Sequence, residues 1–145
     1  KTNETLLMNQ ETFELLDNYN KNIIFLDISN KNIQGILDLH RFKNLEKLIC
    51  SNNQITKIID LPHNTINYID CSNNKIDVLD DLDHLYSLDV LKCNNNNIRK
   101  ITVSINLKHL NCSNNLIKNL NILPSVFQPV FGLSQTCNPG SQAQN

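Results

Sequence analysis

The stretch Leu45-Glu46-Lys47-Leu48-Ile49-Cys50-Ser51-Asn52-Asn53-Gln54-Ile55 decides how this chain folds. It reads L-x-x-L-x-C-x-x-N-x-I, and with Ile58 it makes one copy of a pattern that recurs along the chain. Ile23, Leu26, Ile28, Ile33 and Ile36 form the copy before it. Ile66, Ile69, Cys71, Asn74, Ile76 and Leu79 form the next, followed by Leu88, Leu91, Cys93, Asn96, Ile98 and Ile101. Leu107, Leu110, Cys112, Asn115, Ile117 and Leu120 form the last. The copies start at residues 23, 45, 66, 88 and 107, hence 22, 21, 22 and 19 residues apart. Self-similarity at such a period marks a repeat array. Leu48 and Cys50 are two apart, so in an extended segment they point to the same side. One copy cannot bury that side alone. Stacked copies share a continuous core, with one short parallel strand each.

On these residues, over about residues 23–122, the chain resembles the leucine-rich-repeat family, in its short-repeat class. The short returns are similar to those of bacterial internalins and Yersinia-type effectors, in repeat class only. The resemblance implies an α/β fold: a right-handed β-α superhelix with a short parallel sheet on its concave face. The convex face would carry 3₁₀ or irregular returns. It also implies a buried asparagine ladder at the ninth position of each repeat, bonding backbone groups that are costly to bury alone. The first repeat departs from this, with Lys31 where Asn is expected. Lysine is rarely fully buried, so the ladder is expected to start at Asn53.

Outside the repeats, residues 1–22 read as an N-terminal helical cap. Asn9 suits a helix N-cap. Met8 and Phe13 are placed for a hydrophobic staple, and Phe13, Leu15 and Leu16 for the apolar face. Leu39-x-x-Phe42-x-x-Leu45 and Leu82-x-x-Leu85-x-x-Leu88 have three-residue spacing, which suits a 3₁₀ or short helical turn. Pro62 disfavours a regular helix in its return. Residues 123–131 read as a degenerate C-terminal cap, with Pro129 where a strand would continue. From 132 to 145 the composition turns to Gly, Ser, Gln, Pro and Asn, as in a flexible tail. The chain starts at Lys1 rather than Met and is expected to be a fragment.

Composition narrows the function. With 13 basic and 14 acidic residues the formal net charge is −1, which points to neither nucleic acid nor an anionic membrane. No apolar run is long enough to cross a bilayer. No glycine-rich phosphate loop, Gly-x-Ser-x-Gly elbow or Cys-x-x-Cys pair occurs, so no enzymatic activity and no cofactor are expected. Cys50, Cys71, Cys93 and Cys112 hold one repeat position. Strands about 4.8 Å apart would set their sulfurs in a line, not a tetrahedron. They read as a small apolar core column, and unpaired thiols favour a reducing compartment, cytoplasmic or host-cell cytoplasm. Cys137 lies outside the pattern. His40, His63 and His84 recur on the return side, but no carboxylate or thiol stands out in sequence to complete a metal site. Asp80, Asp81 and Asp83 lack the Gly and Glu of a calcium hand.

What remains is the outward side of the strands. Its first column is Phe25, Lys47, Tyr68, Val90 and His109. Its second is Asp27, Ile49, Asp70, Lys92 and Asn111, and Ile24, Glu46, Asn67, Asp89 and Lys108 flank them. These columns vary in chemistry while the core columns do not. Aromatic and apolar residues beside mixed charges suit a partner-binding surface. The expected function is recognition of another protein by a monomer, through Phe25, Asp27, Lys47, Ile49, Tyr68, Asp70, Val90, Lys92 and His109. The alternative is the substrate-recognition part of a larger ubiquitin-ligase adaptor or pathogen effector. A third reading rests on the uniform columns Ser29, Ser51, Ser72, Asn94, Ser113 and Asn30, Asn52, Asn73, Asn95, Asn114. They read either as turn chemistry or as an array for a repetitive ligand such as glycan or ice. Asn111-Cys112-Ser113 and Asn3-Glu4-Thr5 match the N-glycosylation sequon.

Overall fold

The computed structural model describes residues 8–122 and 134–136. They form a solenoid of short strands in which every strand pair is parallel. The segments around Leu26, Leu48, Ile69, Leu91 and Leu110 supply one strand per repeat: β1 (Phe25–Asp27), β3 (Lys47–Ile49), β5 (Tyr68–Asp70), β7 (Val90–Lys92) and β9 (His109–Asn111). With β11 (Ser134–Thr136) they make a six-stranded sheet in the order β1-β3-β5-β7-β9-β11. Leu26, Leu48, Ile69, Leu91 and Leu110 pair in register along it, so each lies over its counterpart in the next repeat. All five are buried, as are Cys50, Cys71, Cys93 and Cys112.

The returns depart from expectation. They carry strands: β2 (Gln34–Asp38) pairs with β4 (Gln54–Ile59), and β6 (Val78–Leu82), β8 (Lys100–Val103) and β10 (Asn119–Ile122) form a second return-side sheet. No 3₁₀ helix occurs among the described residues, and their one helix is α1 (Gln10–Asp17). The architecture is therefore a β-solenoid with one short helix. Segments such as Gln54-Ile55-Thr56-Lys57-Ile58-Ile59 are rich in β-branched residues, and this one pairs with β2 of the preceding repeat. Pairing with that neighbour satisfies backbone groups no local helix needs to serve. The three-residue spacing survives as turns. The Phe42 amide donates to the Leu39 carbonyl at 3.0 Å and that of Leu45 to Phe42 at 3.4 Å; Leu85 and Leu88 repeat this at 3.2 and 3.1 Å. Leu39, Phe42, Leu45, Leu85 and Leu88 are thereby turned into the core.

The ladder does begin at Asn53. Its Oδ1 accepts from the Lys31 and Ile33 amides at 3.0 and 2.9 Å, and its Nδ2 donates to the Ile28 and Cys50 carbonyls, both at 3.0 Å. Asn74, Asn96 and Asn115 repeat the arrangement, each tying its own strand end to the repeat before it. All four are buried.

At the N-terminal end, Asn9 caps α1 by accepting from the Thr12 amide at 2.9 Å. Leu16 is fully buried, and Met8, Leu15 and Tyr19 pack against the core. Phe13 departs from its expected core-facing role: it stays exposed under the Arg41 guanidinium, 5.3 Å from its ring centroid. In the first repeat a register shift between Gly35 and Ile36 brings Leu37, not Ile36, to the buried position. Gly35 has φ +78°, a conformation that strains any residue with a Cβ. The expected C-terminal cap at 123–131 and Cys137 lie outside the described residues. Within the stretch expected as a tail, Ser134–Thr136 add a sixth strand beside β9.

Candidate functional site

The outward residues of the six-stranded sheet come together as two straight columns, because the register never slips from β1 to β9. Phe25, Lys47, Tyr68, Val90 and His109 lie side by side, and so do Asp27, Ile49, Asp70, Lys92 and Asn111. Phe25 and His109 are exposed, as are Asp27 and Lys92, and the residues between them are half-buried.

The columns are internally ordered. The Lys47 ammonium sits between two rings, 5.3 Å from the Phe25 centroid and 4.6 Å from that of Tyr68. The Lys92 ammonium also lies over the Tyr68 ring, at 5.7 Å from its centroid. The result is a ladder of ring, cation, ring and cation across four repeats. Positive charge over a π face is attracted by the ring quadrupole. Hydrogen bonding to the Tyr68 side chain, then the charge interaction with it, hold the Lys92 ammonium above its ordinary pKa against desolvation, with Asp70 adding to the rise. Alongside, Lys108 and Asp89 make an ion pair at 3.5 Å.

Alternate repeats end their strands with a turn that a side chain caps. Ser29 donates its hydroxyl and its amide to Asp27 Oδ1, at 2.6 and 3.0 Å, and Ser72 does the same to Asp70 at the same distances. Ser113 and Asn111 form the equivalent pair. The Ser29 hydroxyl, then its amide, depress the Asp27 pKa below the usual carboxylate range. The next residue takes the left-handed conformation in every repeat: Asn30, Asn52, Asn73, Asn95 and Asn114 have φ between 56° and 58°. Asparagine tolerates that region better than most residues. Turn geometry thus accounts for the whole asparagine column and for Ser29, Ser72 and Ser113 of the other.

The cysteine column is divided. Cys50, Cys71 and Cys93 are buried free thiols, and burial pushes all three up in pKa, Cys71 to about 12. The negative charge of Asp70 adds to the effect in each. Cys112 is disulfide-bonded, so the column is not a row of four thiols. This corrects the expectation of an unpaired column.

With this geometry in hand, the comparison with known proteins is short. No protein-family model matches the chain, and no curated protein does. Its reading therefore rests on its own residues. Among the described residues no helix is long and apolar enough to cross a membrane. The ring–cation ladder was the part of the face that the pattern alone did not reveal. Its signal was present in the alternation of Phe25, Lys47 and Tyr68 down one column, and it becomes readable once the register is known.

Proposed function

We propose that this chain is a short-repeat leucine-rich-repeat module that recognises another protein through the outward face of its six-stranded sheet. The observation that carries the reading is the Phe25–Lys47–Tyr68–Lys92 ladder. Binding costs entropy when long side chains must be ordered at an interface. Here two lysines are already held against rings, which lowers that cost and presents aromatic area with fixed charges. Asp27, Ile49, Asp70, Val90 and His109 surround the ladder with the mixed chemistry that specific interfaces use. The asparagine ladder and the strand register support membership in the leucine-rich-repeat family, with this sheet on the concave side of a right-handed superhelix. The strand-bearing returns are at variance with the helical returns of its longer-repeat members.

In this reading the chain acts as a monomer without cofactor, nucleic acid or membrane, and has no enzymatic activity of its own. The cytoplasmic placement rests on the free thiols of Cys50, Cys71 and Cys93. The disulfide at Cys112 weighs against it, since disulfides persist in oxidising surroundings. The test is affinity capture with the native chain beside a Phe25→Ala/Tyr68→Ala variant. Partners retained by the native chain are expected to be lost from the variant while its circular dichroism is unchanged. Equal retention by both would sink the reading.

A further inference from the structure

The return side carries a second group of converging side chains. Asp81 follows the middle of β6, Asp83 and His84 lie in the turn after it, and His63 comes from the return one repeat earlier. The His84 Nδ1 is 3.6 Å from Asp81 Oδ1 and 3.7 Å from Asp83 Oδ1. The donor atoms of these three residues all lie within 4.8 Å of one another. The His63 ring stands edge-on to that of His84, with centroids 4.2 Å apart and planes at 84°. His63, Asp81 and His84 border a groove of about 780 Å³ between neighbouring returns.

We propose that Asp81, Asp83 and His84 bind one divalent transition-metal ion of the zinc class, with water in the fourth position. Zinc takes imidazole nitrogen and carboxylate oxygen at about 2.0–2.2 Å, which puts tetrahedral donors roughly 3.4 Å apart. The two distances from His84 are already close to that edge. Electrostatics agrees. Two carboxylates share one imidazole, and among the described residues no Lys or Arg pairs with either of them. The adjacent Asp80 differs, since Lys100 neutralises it at 3.6 Å. Elsewhere on the return side a histidine meets a single carboxylate. His40 shows that simpler case, with Asp38 alone at 3.0 Å.

The backbone is fixed under the site. Leu82 and Leu85 are buried on either side of Asp83 and His84 and anchor the turn that carries them. The donor set also selects the ion. Calcium takes six to eight oxygen ligands, whereas this group offers two carboxylates and one imidazole.

The test is calorimetric titration of the full chain with zinc chloride, and cobalt(II) absorption as a report of coordination. One ion per chain is expected, with the intense visible absorption of four-coordinate cobalt. His84→Ala and the Asp81→Asn/Asp83→Asn double variant are expected to weaken zinc binding by more than about tenfold. His40→Ala should leave it unchanged. Failure to bind zinc, full affinity in His84→Ala, or calcium binding as tight as zinc would overturn the site. Zinc-dependent rise of the thermal midpoint in the wild type but not in His84→Ala provides a second readout.

Discussion

The side-chain oxygen of Asn74 accepts a hydrogen bond at 2.9 Å from the backbone amide of Ile55, which belongs to the preceding repeat. The Nδ2 of Asn74 donates at 3.0 Å to the carbonyl of Cys50, also in that repeat, and at 3.1 Å to the carbonyl of Cys71 in its own. One buried side chain thus bonds backbone groups on both sides of a repeat boundary. Asn74→Ala is expected to destabilise the fold by about 1–3 kcal/mol, since those groups stay buried without partners. The neighbouring Asn73 is exposed, and the pattern alone suggests that alanine there costs under about 0.5 kcal/mol. Its φ of 57° changes that expectation. Asn73→Ala should cost about 1 kcal/mol in strain, and Asn73→Gly much less. Denaturation midpoints of the three variants check the order.

The buried thiols make stability fall at alkaline pH. Their pKa values are raised in the folded chain, so between the ordinary thiol pKa and the raised one the unfolded chain holds fewer protons. Stability contributed by the protonated thiols is complete below the ordinary value and is lost as pH rises toward the folded one, about 12 for Cys71. Cys71→Val is expected to flatten the decline above pH 9 measured by urea unfolding. In native buffer a thiol reagent should label Cys50, Cys71 and Cys93 only slowly. Fast labelling of Cys71 would place the column in solvent.

Asp27 has the opposite sign. Its pKa is depressed by Ser29, so its contribution is present above the ordinary carboxylate value and is lost as pH falls through the lower folded value. Ser29→Ala removes the leading cause and should move the Asp27 titration, followed by carboxyl NMR, back toward the ordinary value. The same midpoint in both proteins would mean that the hydroxyl has no effect on the carboxylate.

On the sheet face, Tyr68→Ala removes the ring shared by two lysines. It should weaken partner binding by about 2 kcal/mol or more and leave the fold nearly intact. Lys92→Glu should change the association rate and its salt dependence more than thermal stability. Stopped-flow kinetics at two ionic strengths separates these effects. Loss of binding in His84→Ala with normal binding in Tyr68→Ala would move the interface to the return side.

Much of this architecture was legible because the repeat multiplies weak signals. Leu48 or Asn53 alone says little, but five aligned copies fix the register, the core columns and the asparagine ladder. The returns were misjudged because three-residue spacing belongs equally to a 3₁₀ helix and to successive turns. Which occurs depends on whether a neighbouring strand such as β4 is there to pair with, and that is a tertiary matter. The shift from Ile36 to Leu37 hid behind a single bulge at Gly35. The columns of the outward face followed from the register. The contacts within them, and the approach of Asp81 and Asp83 to His84, depend on side-chain directions that no spacing rule supplies.

The parallel pairing joins each strand only to its neighbours in the adjoining repeats, and this has a mechanical consequence. Among the described residues, a chain held by its two ends and pulled apart meets no strand pairing between distant repeats. Load reaches the terminal coil first, and each coil that peels away exposes the next. Extension should therefore proceed in a series of small, similar force steps rather than one large rupture. The solenoid would yield gradually from its ends while its middle coils kept their shape.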